Sequence, residues 1–125
     1  MNYTLLIIED NVDNYYLMKF LLEKSGYSVI GASTGIEGIE MALQHQPHGI
    51  LLDIQLPEMN GYVVANKLKT QLETKHIPII AVTSYAMFGD REKIIAAGAS
   101  AYMEKPIDPE SFVSDVIGYL SRENR

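Results

Sequence analysis

Short apolar runs alternate along this chain with longer stretches in which apolar residues recur every three or four positions. The runs cover residues 5–8, 28–32, 50–53, 77–83 and 101–104. Continuous apolar runs between polar residues are typical of strands buried on both faces of a sheet. We therefore predict five strands, with Pro78 only at the entrance of the fourth.

The stretches after the strands predict five helices, four of which have an apolar row of the kind that ordinarily faces the core. Asn11 or Asp13 can cap the first helix, Gly26 can end it, and Pro47 closes the second. The fourth helix is expected over residues 90–97. The rows are Val12, Tyr16 and Phe20, with Leu17 and Leu21 beside them; Ile36, Ile39 and Leu43; Val64, Leu68 and Leu72; and Val113, Val116, Ile117 and Leu120.

The alternation of strand and helix predicts βαβ units, right-handed crossovers and a parallel sheet with helices on both faces. The second strand contains Ser28 and Gly31, which suits an edge and favours the flavodoxin-like strand order 2-1-3-4-5. The predicted fold is an α/β, three-layer, doubly wound sandwich. No linker or low-complexity segment divides the chain, so we expect a single domain over residues 1–125 without an output domain.

The composition is that of an acidic chain without cysteine. The formal charge is −6 over 125 residues, so no overall positive field attracts nucleic acid or an anionic membrane. Disulfides and thiolate metal sites are excluded. No apolar run approaches the roughly 20 residues that span a bilayer, and the first residues lack a signal-peptide pattern. We expect a soluble, cytoplasmic protein that contacts neither nucleic acid nor membrane directly.

Four of the predicted strands end near residues that can handle a phosphoryl group. Glu9 and Asp10 follow the first strand, Asp53 ends the third, Thr83 ends the fourth, and Lys105 follows the fifth. In a parallel sheet these ends lie along one edge, where open α/β sheets bind ligands. Oxygen ligands without His or Cys select Mg²⁺ or Mn²⁺. The combination predicts a magnesium-dependent site in which an aspartate is phosphorylated.

Each of these residues also has an ordinary structural explanation. Acids after strands commonly cap helices or loops, a lysine near a strand end is usually solvated, and threonine is common in strands. However, close like charges raise one another's pKa and destabilise a fold unless a cation offsets them. Three acids grouped with one lysine therefore favour a functional site over separate structural roles.

The strand-end motifs resemble those of receiver domains of two-component response regulators, across nearly the whole chain. In detail the chain is similar to stand-alone receivers of the cell-division type and to receivers of hybrid histidine kinases. The resemblance implies a CheY-like fold and a function in phosphorelay signal transduction. The matching segments are Ile8-Glu9-Asp10-Asn11, Leu52-Asp53-Ile54-Gln55-Leu56-Pro57 with Gly61, Val82-Thr83-Ser84-Tyr85-Ala86, and Glu104-Lys105-Pro106.

The resemblance implies a chemical role for each residue near the acidic cluster. Asp53 would accept a phosphoryl group from a phosphohistidine of a histidine kinase or a histidine phosphotransfer protein. Asp10, Asp53 and the backbone carbonyl of Gln55 would bind Mg²⁺, with Mn²⁺ as a possible substitute. Glu9 would act mainly through a bound water, and Lys105 would neutralise the phosphoryl group.

The resemblance also implies how a signal would leave the domain. Thr83 would bond the phosphoryl group and Tyr102 would turn inward behind it. A downstream protein target would then bind the face formed by the fourth helix, fifth strand and fifth helix. The chain would catalyse only its own phosphorylation and dephosphorylation, as a monomer or a weak phosphorylation-dependent dimer.

Several positions depart from the commonest receiver pattern or flank the site. Glu9 replaces an aspartate, and Ser84 stands where a smaller residue is usual. Gln55 and Tyr85 flank the phosphoryl site, where their bulk would shield the acyl phosphate from water and lengthen its lifetime. Three further residues are candidates for the output face, although core packing is the commoner explanation for such residues: Met87, Phe88 and Tyr119.

Other protein classes share parts of the pattern. Haloacid-type phosphatases also carry a strand-end nucleophilic aspartate with magnesium, but they need a second aspartate two residues later, where this chain has Gln55. A flavodoxin needs a hydroxyl-rich loop after the first strand, and a Rossmann domain needs a glycine-rich turn there. Two alternatives stay open: a receiver excised from a hybrid histidine kinase, and a pseudo-receiver that binds protein without phosphorylation.

Overall fold

A computed structural model describes residues 3–84 and 90–123, and in these two segments five strands alternate with five helices. Tyr85, Met87 and Phe88, for which the sequence predicts roles, lie outside the described residues. The strands are β1 (Thr4–Ile8), β2 (Ser28–Ala32), β3 (Gly49–Asp53), β4 (Ile79–Thr83) and β5 (Ala101–Glu104). The helices are α1 (Val12–Lys24), α2 (Gly35–His45), α3 (Gly61–Thr70), α4 (Asp90–Ala96) and α5 (Phe112–Glu123).

The five strands form one parallel sheet in the order β2-β1-β3-β4-β5. This confirms the predicted topology, with β2 at an edge and β3 in the centre. In the register of the sheet, Asp53 lies opposite Val82 and Thr83 lies opposite Glu104. The carboxyl ends of β1, β3, β4 and β5 therefore share one edge, as the sequence predicts.

Two apolar clusters, one on each side of the sheet, make the fold a three-layer sandwich. On one side α1 and α5 contribute Met18, Leu22, Phe112, Val116 and Leu120. On the other side α2, α3 and α4 contribute Ala42, Val64, Leu68 and Ile94. Strand side chains alternate between the two clusters because successive residues of a strand point to opposite faces.

The sequence prediction was wrong about the buried side of α1. Val12, Tyr16 and Phe20 are 64%, 58% and 60% exposed, whereas Met18 and Leu22 are buried. Apolar residues occur on more than one side of this helix, so their spacing does not identify the side that packs on the sheet. We call the exposed residues Val12, Tyr16 and Phe20 the α1 apolar row.

Smaller corrections concern the next helices and the start of β4. On α2, Ile36 and Leu43 are exposed, and the buried residues are Gly35, Gly38 and Ala42. The absence of a side chain at Gly38 allows the helix to approach Ile8 of β1 closely. Leu72 lies beyond the end of α3 and is exposed. β4 begins at Ile79 and not at residue 77, because Pro78 has no N–H to donate to a neighbouring strand.

The start of α3 packs directly on the backbone that carries Asp53. Asn60 caps this helix with its side chain, and the Gly61 N–H donates to the Ile54 carbonyl at 2.8 Å. A Cβ on Gly61 would lie 2.5 Å from Ile54 Cα and 2.8 Å from the Asp53 carbonyl oxygen. Glycine at this position therefore permits the close approach that holds the end of β3 in place.

Candidate functional site

Three acidic side chains meet at the shared edge of the sheet. Glu9 and Asp10 follow β1, Asp53 ends β3, and one carboxylate oxygen from each lies within 4.8 Å of the others. Glu9 and Asp53 are buried and Asp10 is exposed. The structure thus brings together the acidic cluster that the sequence predicts, open to solvent on the Asp10 side.

Asp53 is held at the centre of this cluster. It is 3% exposed, and its Oδ1 accepts a hydrogen bond from the Gln55 N–H at 2.9 Å. Its Oδ2 lies 3.4 Å from Lys105 Nζ. A carboxylate oriented by a backbone donor and a nearby cation is positioned for attack on an electrophile.

Lys105 is the cation of the site among the described residues. Its Nζ lies 2.8 Å from Glu9 Oε1, closer than to Asp53, and its side chain is largely buried. The lysine follows β5, and the Thr83 carbonyl at the end of β4 accepts its backbone N–H at 2.9 Å. The ammonium therefore lies between the carboxylates of two strand ends, which matches the predicted placement.

The carboxyl group of Glu9 has a raised pKa. Burial, hydrogen bonding to Asp53 and the negative charge of Asp53 together raise its pKa to about 7, although Lys105 acts in the opposite direction. Its Oε2 accepts the Asn11 N–H at 3.2 Å. Among the described residues its buried Oε1 has an ion-pair partner in Lys105 but no hydrogen bond of good geometry.

These observations fit a hard divalent cation. Three carboxylates, two of them buried, face one ammonium, and a buried carboxylate oxygen lacks a hydrogen bond within the described residues. An excess of negative charge of this kind is relieved by an oxygen-coordinated ion. The side chains present are therefore a suitable donor set for Mg²⁺.

The two predicted switch residues lie on neighbouring strands. Thr83 is 1% exposed at the end of β4, beside Asp53 on β3. Tyr102 on β5 pairs with Ala81, two residues before Thr83 along β4, and its ring is half-buried. The Arg91 guanidinium of α4 lies 5.8 Å from the centroid of this ring.

Other features near the site were not predicted from the sequence. The Gln55 side-chain carbonyl accepts hydrogen bonds from Ser84, and the Glu58 carboxylate accepts the Gly35 N–H at the start of α2. A cleft of about 330 Å³ also opens beside the acidic cluster, and its walls include Asp10, Tyr15, Tyr16, Gly31 and Glu37. Polar residues far apart in the chain make these features, and no hydrophobic pattern marks them.

Fold and site together define a protein of the phosphorelay class. The family model for the response regulator receiver domain matches residues 5–117. The chain belongs to this family, and as a receiver it functions in phosphorelay signal transduction. None of the helices described in residues 3–84 and 90–123 is long and apolar enough to cross a membrane.

Two curated relatives of similar length show more specifically which receivers this chain resembles. The polar-differentiation response regulator DivK of Brucella ovis is 44% identical over 120 residues, which cover 96% of this chain and 98% of the relative. DivK of Brucella anthropi is 44% identical over 117 residues, with 94% and 95% covered. These similarities support the predicted resemblance to stand-alone receivers of the cell-division type.

Solved structures with the same fold include receivers from distant organisms. A CheY-like receiver domain protein of Methanospirillum hungatei has a TM-score of 0.90 at 28% identity, with 99% of this chain and 98% of that chain covered. The receiver domain of the sensor histidine kinase PA1611 of Pseudomonas aeruginosa has a TM-score of 0.87 at 29% identity, with 97% and 99% covered. In the latter structure a magnesium ion is coordinated in the active-site cleft.

Proposed function

We propose that Asp53 accepts a phosphoryl group from a phosphohistidine of a histidine kinase or a histidine phosphotransfer protein. The observation that carries the proposal is the environment of its carboxylate. The group is buried at the end of the central strand, with a backbone N–H on Oδ1 and an ammonium 3.4 Å from Oδ2. The bond from phosphorus to the donor nitrogen breaks, a bond from phosphorus to an Asp53 oxygen forms, and the imidazole leaves and takes up a proton.

The residues around Asp53 have separate tasks in this transfer. Phosphoryl transfer depends on positioning and on neutralising the charge of the transferred group. The Gln55 N–H orients the carboxylate, and Lys105 supplies positive charge to the incoming phosphoryl oxygens. The hydroxyl of Thr83 donates to one of those oxygens once the group has arrived.

Magnesium is the cofactor that this site suits, with Mn²⁺ as a substitute. Asp10, Asp53 and the backbone carbonyl of Gln55 would hold the ion, and Glu9 would act mainly through a water bound to it. When bound, the ion adds positive charge beside the phosphoryl oxygens. The magnesium in the cleft of the Pseudomonas receiver supports this assignment.

The phosphorylated domain acts as a switch and not as a turnover catalyst. A dianionic phosphoryl group draws Thr83 and Lys105 towards itself, because charge-assisted hydrogen bonds are the stronger ones. Movement of Thr83 makes room for the Tyr102 ring, and the face of α4, β5 and α5 changes shape for a downstream protein. We propose a cytoplasmic single-domain receiver, monomeric or weakly dimeric when phosphorylated, in a pathway like that of the polar-differentiation relatives.

The α1 apolar row is the surface on which the phosphodonor protein would dock. The row starts at Val12, two residues after Asp10 of the acidic cluster, and continues along the exposed side of α1. A partner that delivers a phosphohistidine to Asp53 must cover this rim of the site. An apolar helix surface on the partner would be complementary to the row.

Intact-mass measurement directly tests the proposed phosphorylation of Asp53. The protein is incubated with Mg²⁺ and phosphoramidate, and wild type should gain the mass of one phosphoryl group. Asp53→Ala should gain none, whereas Asp13→Asn, at an exposed acid of α1, should behave like wild type. No gain by wild type, or an equal gain by Asp53→Ala, contradicts the proposal.

A further inference from the structure

Gln55 connects the predicted phosphoryl acceptor to the segment that follows β4. Its backbone N–H donates to Asp53 Oδ1 at 2.9 Å. Its side-chain Oε1 accepts two hydrogen bonds from Ser84, from the backbone N–H at 3.2 Å and from the hydroxyl at 2.5 Å. One residue therefore contacts both Asp53 and the residue immediately after Thr83.

These side-chain bonds continue the pairing of β3 with β4 beyond the end of the strands. Asp53 lies opposite Val82, and the next backbone bond runs from the Ile54 N–H to the Val82 carbonyl at 3.2 Å. Beyond this bond the strands no longer pair, because the chain after β3 continues to α3 and the chain after β4 continues to α4. The Gln55 amide replaces the lost backbone pairing and fastens Ser84 to the loop that carries Asp53.

We propose that Gln55 is a positioning residue that holds the Thr83–Ser84 segment in its resting position through Ser84. The inference rests on the proposed phosphorylation of Asp53 and adds a residue to its regulation. A neutral amide oxygen is a weaker acceptor than a phosphoryl oxygen. A phosphoryl group on Asp53 would therefore compete with Gln55 for the donors of Ser84. We call the two hydrogen bonds from Ser84 to Gln55 Oε1 the latch, and their loss would accompany the movement of Thr83.

A role of Gln55 through hydrogen bonds to Ser84 can be distinguished from a role in which the size of its side chain shields the acyl phosphate from water. If the hydrogen bonds matter, Gln55→Met should release Ser84, because methionine has a similar length but no strong acceptor. Gln55→Glu retains an acceptor at the same reach and should keep Ser84 in place. If only the size of the side chain matters, methionine should behave like glutamine.

The first measurement is hydrogen exchange of the Ser84 amide by NMR, in unphosphorylated protein with EDTA. We expect exchange about three- to tenfold faster in Gln55→Met than in wild type, the range that the loss of about one net hydrogen bond gives. Gln55→Glu should stay near wild type. Gln44→Met, the same substitution at an exposed position of α2, serves as the matched control and should leave Ser84 unchanged. Unchanged Ser84 exchange in Gln55→Met overturns the latch.

The second measurement is the rate of phosphorylation by phosphoramidate with saturating Mg²⁺, from intact mass. We expect Gln55→Met to be phosphorylated about three- to tenfold faster, because the donors of Ser84 no longer have to leave a competing acceptor. In the double variant Gln55→Met/Ser84→Ala, the change in phosphorylation rate should be smaller than the product of the changes in the two single variants, because both substitutions remove the same contact. Fully multiplicative effects, or a wild-type rate in Gln55→Met, overturn the link between latch and phosphorylation.

The two measurements separate this inference from the proposed function. If wild type takes up no phosphoryl group, the proposed function fails and its regulation by Gln55 fails with it, while Ser84 exchange still decides whether the latch exists. If wild type is phosphorylated on Asp53 but Ser84 exchange is insensitive to Gln55→Met, the latch alone is wrong. Thermal unfolding of each variant checks that it folds.

Discussion

Replacement of Glu9 by glutamine should remove a pH dependence from the stability of the metal-free protein. The pKa of Glu9 is raised from 4.5 to about 7, chiefly by burial and also by Asp53, with Lys105 opposing the shift. Between these two pH values the folded protein keeps a proton that the unfolded chain has lost. The stability from the protonated carboxyl is therefore full below pH 4.5 and is lost as the pH rises to about 7.

The size of the effect follows from the interval between the two pKa values. At about 1.36 kcal/mol per pKa unit, the interval from 4.5 to about 7 gives at most about 3 kcal/mol. Glutamine does not titrate, so the Glu9→Gln variant should not show this loss of unfolding free energy as the pH rises. The free energy of unfolding of Glu9→Gln, minus that of wild type, should therefore rise by about 2–3 kcal/mol from low to neutral pH.

Urea unfolding in EDTA, followed by circular dichroism at a series of pH values, measures this difference. Glu40→Gln, at an exposed position of α2, is the control for the loss of one carboxylate elsewhere and should not show the same rise. Mg²⁺ should flatten the wild-type profile, because a bound cation favours ionised carboxylates. A difference between Glu9→Gln and wild type that stays constant over this pH range would refute the reasoning.

Three further predictions follow from contacts of the described residues. Gly61→Ala should lower the free energy of unfolding by about 1–3 kcal/mol, because its Cβ would overlap the Ile54 backbone. Gly118→Ala, whose Cβ meets nothing within 4 Å, is the control and should not destabilise in the same urea titration. Lys105→Met should slow phosphorylation by phosphoramidate about a hundredfold, and an unchanged rate of mass gain would argue against a role for the ammonium. Arg91→Ala removes a cation–π contact worth about 0.5–1 kcal/mol, so the rotamer populations of Tyr102 should shift about two- to fivefold by NMR couplings. Unchanged couplings would mean that Arg91 does not hold the ring.

The fold was predictable because its signals are local and repeated. Each strand is a short apolar run, each helix has its own apolar residues, and Ser28 with Gly31 indicated which strand lies at the edge. The acidic cluster was predictable for a related reason. Parallel strands bring their carboxyl ends to one edge, so Asp10 and Asp53 had to lie close together once the order was right.

Features that depend on tertiary packing were less accessible from the sequence. The side of α1 that packs on the sheet depends on α5, which contributes to the same apolar cluster as Met18 and Leu22. The contact between Gln55 and Ser84 joins residues 29 positions apart and has no periodic signal. Glu9 and Asp10 are neighbours with similar chemistry, yet one is buried and the other exposed, because successive residues at a strand end face opposite directions.

The α1 apolar row also has a consequence for how this protein tolerates sequence change. Because its three side chains remain mostly in water after folding, polar replacements there should cost little stability. Lysine ammonium groups lie 5.8 Å from the ring centroids of both Tyr16 and Phe20, which leaves the row partly covered by Lys19 and Lys24. An exposed apolar surface tends to reduce solubility and contributes nothing to the core. Folding alone therefore does not require apolar side chains at these three positions.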